Sequence, residues 1–384
     1  MLYHYSPKII GNEIIELKKS LKDGWICIGP NIKKFENKIK NYVKAKNCVA
    51  LNSGTAALHL SLILSKVEPG DEVIVPSITF ISPINTVRYC QANPIFMDCD
   101  KYFNIDEKKT IEFILKHTYF KKGYSYNSKT KKKIKALIAV HVWGNACKLE
   151  KLLPILKKRN IRLIEDASEA LGTKYLNGKN KNKFAGTIGD FGCYSFNMNK
   201  MITTGQGGML ISNNKKLANH ARYLAAQAKN DSFRYIHNEI GYHYRLNNLL
   251  AGVGLAQFAN LKNFLKQKKY INNFFRKKLK KNKYIELSET PEYANNNYWH
   301  TIFIIKNNSF KSKLINAFKK KKIQIRMVWF PNHRQKHLKK FQRFKITNSN
   351  KLVSQSICAP CGNHITNKDL RLISKVIDQT LEKF

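Results

Sequence analysis

The sequence predicts an α/β fold: a mostly parallel sheet with helices on both faces, followed by a smaller α+β unit. Three observations predict it. Short apolar runs alternate with helix-period segments between residues 48 and 209. The run 134–141 is almost continuously apolar, as a strand buried on both faces requires. Beyond residue 250 the alternation stops, and helical patterns surround a few isolated strands. A chain of 384 residues accommodates this as a large domain, 1–250, and a smaller one, 251–384, reached by a long linking helix.

Taken in order, 48–51 reads as a strand, 55–65 as an apolar helix, 72–76 as a strand, 81–90 as a helix and 95–98 as a strand. Residues 120–133 are polar, basic and aperiodic, and read as a surface insertion or loop. A strand at 134–141, a helix at 149–158 and a strand at 162–165 follow, then a polar loop or hairpin at 174–183. Strands at 191–195 and 209–212 complete a set of seven. Residues 249–270 read as one long helix leaving the large domain. A strand at 298–305, a helix at 310–320, a strand at 323–329 and a terminal helix at 369–384 make up the small domain. Right-handed crossovers join such parallel strands, and ligands sit beyond their carboxyl ends.

Composition excludes several classes. With 43% hydrophobic and 11% aromatic residues the chain can bury a core and is not disordered. No stretch approaches the roughly 18 apolar residues that span a bilayer. The first residues lack the apolar core of a signal peptide, so a cytoplasmic protein without membrane insertion is expected. The formal charge of +44 raises the question of nucleic acid. The basic runs at 131–135, 266–283, 319–322 and 336–345 fall in different elements and carry no nucleic-acid motif. A lysine-, asparagine- and isoleucine-rich genome accounts for them, and no specific nucleic-acid partner is expected. The eight cysteines form no disulfide framework. Cys358 and Cys361 form a lone C-x-x-C with His364 nearby, too few ligands for a zinc site, and no metal is expected.

The chemistry centres on Lys200. It ends the segment after an apolar strand and precedes the Gly-rich turn 203–208, a poor place for a solvated charge and a good one for a Schiff base with pyridoxal phosphate. Asp166 ends another apolar strand, where a buried carboxylate needs a partner. A pyridinium nitrogen is one such partner, kept protonated as part of an electron sink; capping the next helix is the plainer alternative. Ser53, Gly54 and Thr55 open a helix after a strand, which makes either an ordinary N-cap or a phosphate cradle. Ser195 offers the phosphate a hydroxyl. Phe80 either stacks on a cofactor ring or packs in the core. Together, the order and spacing of these signals are specific.

The set resembles the DegT/StrS family of PLP-dependent sugar aminotransferases, with similarity from Gly24-Trp25 to Pro360-Cys361. Its motifs appear as S-G-T-A-A-L at 53–58, G-D-E-V-I-V-P at 70–76 with Thr79-Phe80 after it, and E-D-A at 165–167. S-F-x-x-x-K lies at 195–200 and T-T-G-x-G-G-M at 203–209. The resemblance implies PLP fold type I, aspartate aminotransferase-like, with a mostly parallel seven-stranded sheet. It makes Lys200 the Schiff-base lysine and Asp166 the partner of the ring nitrogen, with Phe80 on the ring face. Gly54, Thr55 and Ser195 would hold the phosphate, and Glu169 would lie near the phenolic oxygen. Arg245 falls in a segment that family members donate across a homodimer interface toward the phosphate. Met198 and Gln206 depart from the family pattern beside the lysine.

Tyr89-Cys90, the run 96–100 and the run 235–242 resemble the branch that makes 4-amino-4,6-dideoxy sugars for surface glycans. The resemblance implies L-glutamate as amino donor and a UDP-linked 4-keto-6-deoxy-N-acetylhexosamine as acceptor, with ping-pong kinetics. GDP-perosamine synthases are near relatives and give the alternative acceptor. PLP-dependent sugar dehydratases of the family carry His where this chain has Lys200, which favours transamination. Trp25, His141, Trp329 and His333 are candidate residues at the mouth of the site, each equally placed for packing.

Overall fold

The computed structural model describes residues 1–384. Its large sheet is built on seven strands: β1 Asn47–Leu51, β2 Glu72–Pro76, β3 Asn93–Met97, β4 Lys133–Val140, β5 Arg162–Asp166, β6 Phe191–Ser195 and β7 Gly208–Ser212. Their spatial order is β1-β7-β6-β5-β4-β2-β3. Only β7 runs against its neighbours, pairing antiparallel with β1 and β6; the other pairings are parallel. The seven strands expected from sequence are all present, and three short ones extend the sheet to ten.

Two of the added strands correct the loop expected at 120–133. Thr118–Lys121 and Tyr124–Asn127 form a hairpin that pairs with the start of β4. Aromatic residues on alternate positions account for it: Tyr119 and Tyr126 face each other across the pair with ring centroids 5.4 Å apart. The third is Arg343–Phe344, which lies parallel to β3.

Alternate residues of the central strands feed two cores. Val73, Val75 and Ile164 join the larger one, where the helix Gly54–Leu64 is buried on nearly every side. Ile74 and Leu163 join the opposite one, against the helix Leu152–Lys158. A sheet covered on both faces has continuously apolar strands, which is why β4 reads as it does.

The expected linking helix is two helices, Asn248–Ala259 and Leu261–Lys278, broken at Asn260 with φ −102 and ψ 3. Beyond them Ile285–Leu287, Thr301–Ile305, Ser356–Ala359 and Arg326–Met327 form a second, antiparallel sheet. The helices Asn308–Lys320 and Asn367–Glu382 share its core. The chain's first residues pack here too, since Leu2 bridges to Ile323 and joins that core. In the other direction, the segment after Trp329 returns to the large sheet, where Asp98 accepts bonds from Asn348 and Ser349.

Candidate active site

Because β4, β5 and β6 are parallel, their carboxyl ends open on one edge, beside the N-terminus of the helix Gly54–Leu64. A cavity of about 590 Å³ lies there. Gly54, Thr55, Phe80, Asp166, Glu169, Ser195 and Lys200 all line it, so seven side chains picked from sequence converge.

Lys200 is held by its backbone. Its N–H donates to the Asn197 carbonyl at 2.9 Å and its own carbonyl accepts from the Tyr5 hydroxyl. Its ammonium lies 4.2 Å from the ring centroid of Trp299 and 3.7 Å from Glu169 Oε1. Trp299 is in turn fixed by a 2.7 Å bond from Nε1 to the Asn199 carbonyl. The lysine is therefore clamped between an aromatic face and a carboxylate, with little access to water.

Asp166 ends β5. Its Oδ1 accepts the Ser168 N–H at 3.0 Å in an Asx turn, and the residue lines the cavity. Burial pushes its pKa up, opposed by Ser168 and by the charge of Lys200. Glu169 is buried with one oxygen on the Trp143 N–H at 2.9 Å. Burial pushes its pKa up to about 7, opposed by Lys200. Both carboxylates call for a cationic or proton-bearing partner.

The helix start is built for close approach. Ser53 caps it by accepting the Ala56 N–H at 3.0 Å. A Cβ on Gly54 would stand 2.9 Å from Ser195 Cβ, and one on Gly208 would stand 2.3 Å from the Ser53 carbonyl carbon. These glycines let the 203–208 turn and the end of β6 close against the helix N-terminus, where Gly54, Thr55 and Ser195 edge a recess of the cavity. Phe80 is half exposed at the rim.

Of the other residues picked from sequence, Trp329 and Gln206 line the cavity and most lie elsewhere. His141 is fully buried below the cavity; its Nδ1 accepts the Cys147 N–H, so Nε2 carries the proton and donates to Glu165 at 2.9 Å. Glu165 also accepts the N–H groups of Gly186, Ile188 and Gly189, so this pair is a scaffold for a turn. His333 is buried against Ser77. Trp25 is half exposed on the outer surface and Arg245 is exposed; neither lines the cavity. Arg245 borders a second hollow of about 270 Å³ with Cys27 and Ile28, and Gln206 lines both hollows. Trp329 does line the main cavity and stacks on Trp143 at 4.1 Å.

Sequence reasoning missed Tyr5, Trp143, Ser168 and Trp299. Only Ser168 had a local signal, two residues after Asp166 at the expected Asx-turn position; the others arrive from distant segments. Of the C-x-x-C, Cys358 faces the cavity while Cys361 faces His300, so the pair does not converge. Ligand atoms of His4, His300 and Cys361 lie within 4.8 Å of one another, but the buried Lys268 ammonium beside them disfavours a cation.

The DegT/DnrJ/EryC1/StrS aminotransferase family profile matches residues 7–378. This chain belongs to that family. It is 31% identical to the GDP-perosamine synthase of Escherichia coli O157:H7, over 98% of this chain and 97% of that one. It is 27% identical to the UDP-4-amino-4,6-dideoxy-N-acetyl-beta-L-altrosamine transaminase of Campylobacter jejuni strain 81-176, over 100% and 98%. The PLP form of Spr1654 from Streptococcus pneumoniae, described as a sugar aminotransferase, has the same fold: TM-score 0.85 at 22% identity, over 99% and 98%. The DegT/StrS fold is PLP fold type I, and this chain is an aminotransferase of that family.

Aminotransferases of this family depend on pyridoxal phosphate. The residues present fit that group. The helix N-terminus at Gly54 and Thr55, with Ser195 beside it, suits a phosphate, the buried carboxylate of Asp166 suits a protonated ring nitrogen, and Lys200 suits the aldehyde carbon.

Proposed function

We propose that this chain moves the amino group of L-glutamate to the keto carbon of a nucleotide-linked 4-keto-6-deoxy sugar, for surface-glycan synthesis. The observation that carries the reading is Lys200, shielded by Trp299 and 3.7 Å from Glu169, in a cavity that also holds Asp166 and the Gly54 recess.

Pyridoxal phosphate, when bound, supplies the electron sink for the carbon that loses its proton. Gly54, Thr55 and Ser195 would hold its phosphate, and Phe80 would lie on the side of its ring. Asp166 keeps the proton on the ring nitrogen; the buried carboxylate gains the cationic partner that burial makes it need. Lys200 would be the covalent anchor, and its free Nζ would be the base that takes the proton from the donor α-carbon. In the second half-reaction the same Nζ delivers a proton to C4 of the sugar. Glu169, near neutrality, accepts or releases a proton beside Lys200 as the ammonium charge comes and goes. Donor and acceptor use one site in turn, so kinetics are ping-pong.

The working unit is a homodimer in which Arg245 of one copy reaches the phosphate recess of the other. Its exposure outside its own cavity supports this, as do Phe233, 91% exposed, and Ile240, 82% exposed, on the neighbouring hairpin. Trp25 approaches the substrate by the same route, since its carbonyl accepts from Asn248 just beyond Arg245.

The acceptor is UDP-linked on the resemblance of 89–90, 96–100 and 235–242. The 31% identical GDP-perosamine synthase favours a GDP-linked sugar as the second reading. Purified protein given L-glutamate and UDP-, GDP- and dTDP-linked 4-keto-6-deoxy sugars should form one amino sugar, identified by mass. Lys200→Ala should form none. Undiminished turnover in Lys200→Ala, or no amino sugar from any acceptor, overturns the reading.

A further inference from the structure

The large-domain wall of the cavity holds two carboxylates and one ammonium, and each has a partner within the chain. Asp166 is bonded to Ser168, Glu169 to Trp143, and Lys200 faces Glu169. The opposite wall is different. Arg326 lies on the short strand Arg326–Met327 and pairs directly with Cys358. Residues opposite each other in a sheet project to the same side. Cys358 is buried on the cavity side, and Arg326 lines the cavity with it. Arg326 enters none of the chain's ion pairs. Arg326 is exposed at the cavity's edge, and its guanidinium donates no hydrogen bond within the chain.

Gln324, two residues earlier and so on the same side, also lines the cavity. Its Oε1 accepts the His4 backbone N–H at 3.1 Å. That bond fixes the amide orientation, because only the oxygen can accept. The Gln324 NH2 is left with no acceptor in the chain. His4, also in the cavity wall, is buried with Nε2 unpartnered. The Arg326 guanidinium and the Gln324 NH2 therefore lie without internal acceptors on the small-domain wall of the cavity, beside the unpartnered His4 ring nitrogen.

We propose that Arg326, assisted by Gln324, is the oxyanion subsite for substrate in this cavity, taking either a carboxylate of the amino donor or the diphosphate of the sugar nucleotide. The proposal rests on the aminotransferase reading above. The Gly54 recess takes the cofactor's phosphate in that reading, so each substrate still brings an unmatched anionic group. Arg presents a planar fork that binds carboxylate or phosphate oxygens in pairs, which Lys cannot reproduce.

The test separates the two half-reactions in the holoenzyme with Arg326→Gln and Arg326→Lys. Loss of the visible absorbance band on adding L-glutamate reads the first half; its return on adding the keto sugar reads the second. Removing one charged hydrogen-bonding group should raise the apparent Kd of the affected substrate about 10-fold or more, with Arg326→Lys intermediate and the starting band unchanged. A rise confined to glutamate assigns the carboxylate, a rise confined to the sugar assigns the diphosphate, and a rise in both means that the substrates share the subsite in turn. Unchanged constants in both halves overturn the proposal, as does a loss in Arg326→Gln that Arg326→Lys does not partly restore.

Tryptophan fluorescence gives an independent readout, since Trp143, Trp299 and Trp329 line the cavity. Titration with 2-oxoglutarate or with UDP or GDP alone should show weaker binding of at least one by Arg326→Gln. If the wild type shows no absorbance change with glutamate, the aminotransferase reading fails, while this titration still decides whether Arg326 binds an oxyanion.

Discussion

At Asp166 the carboxylate is bonded to Ser168 and lines the cavity, with burial raising the pKa. Asp166→Asn keeps the shape and removes the charge that holds a ring nitrogen protonated. It should lower kcat by about three orders of magnitude, roughly 4 kcal/mol in the barrier, with little change in folding. Near-wild-type kcat would exclude that role. Glu169 gives a pH signature. Its folded-state pKa lies above that of an exposed carboxyl, so its stabilising contribution is full below about pH 4.5 and is lost as pH rises through about 7. Glu169→Gln cannot ionise. Relative to wild type it should gain on the order of 2 kcal/mol between about pH 5 and 8 in denaturant titrations of cofactor-free protein. A constant difference across that range would show that Lys200 neutralises the carboxylate fully.

Among the elements, the segment after Trp329 is the tie between the small sheet and the large one. Asp98, at the end of β3, accepts from Lys109, the Thr347, Asn348 and Ser349 N–H groups and the Ser349 hydroxyl. Burial alone would raise its pKa, but Lys109 and Ser349 bring it well below the usual carboxylate range. Its contribution is present above about pH 4 and lost as pH falls further. Asp98→Ala should cost about 3 kcal/mol in denaturant unfolding near neutral pH, because several buried donors lose their acceptor. A loss below about 1 kcal/mol would show that the 347–349 segment is held by packing alone. The residues around Asp98 drew notice in the sequence as a family match; in the fold they hold this tie, and neither Asp98 nor its partners line the cavity.

For the whole molecule, 69 basic residues face 25 acidic ones. Like charges at this density repel, and added salt screens them over about 10 Å at 0.1 M. Tm should therefore rise between about 10 mM and 300 mM NaCl; a fall would mean that the ion pairs outweigh the repulsion. No helix is long and apolar enough to cross a membrane. On the proposed homodimer, sedimentation should give twice the chain mass, and Arg245→Ala should weaken cofactor retention without splitting the dimer, as a role in the neighbour's recess would require. A monomer that keeps full activity would exclude the shared site.

The sequence by itself determined the strands, the family and the seven residues that meet in the cavity. Gly54, Thr55, Asp166 and Ser195 sit at a helix start or a strand end, and Phe80, Glu169 and Lys200 in the turns that follow strands; apolar runs, glycines and capping residues mark such places locally. It determined less where one pattern serves two outcomes. His141, His333 and Trp25 had the right chemistry, but their chain positions do not say whether a ring lies above or below the end of a strand. The hairpin at 118–127 and the break at Asn260 were hidden for a related reason: a two-turn element takes its stability from the partner it pairs with. Only the tertiary structure decided what surrounds Lys200. Tyr5, Trp143 and Trp299 come from three distant segments, and Gln324 and Arg326 from a strand of two residues across the cavity. Contacts between segments that far apart follow from how the two sheets pack, and no local pattern in the chain encodes them.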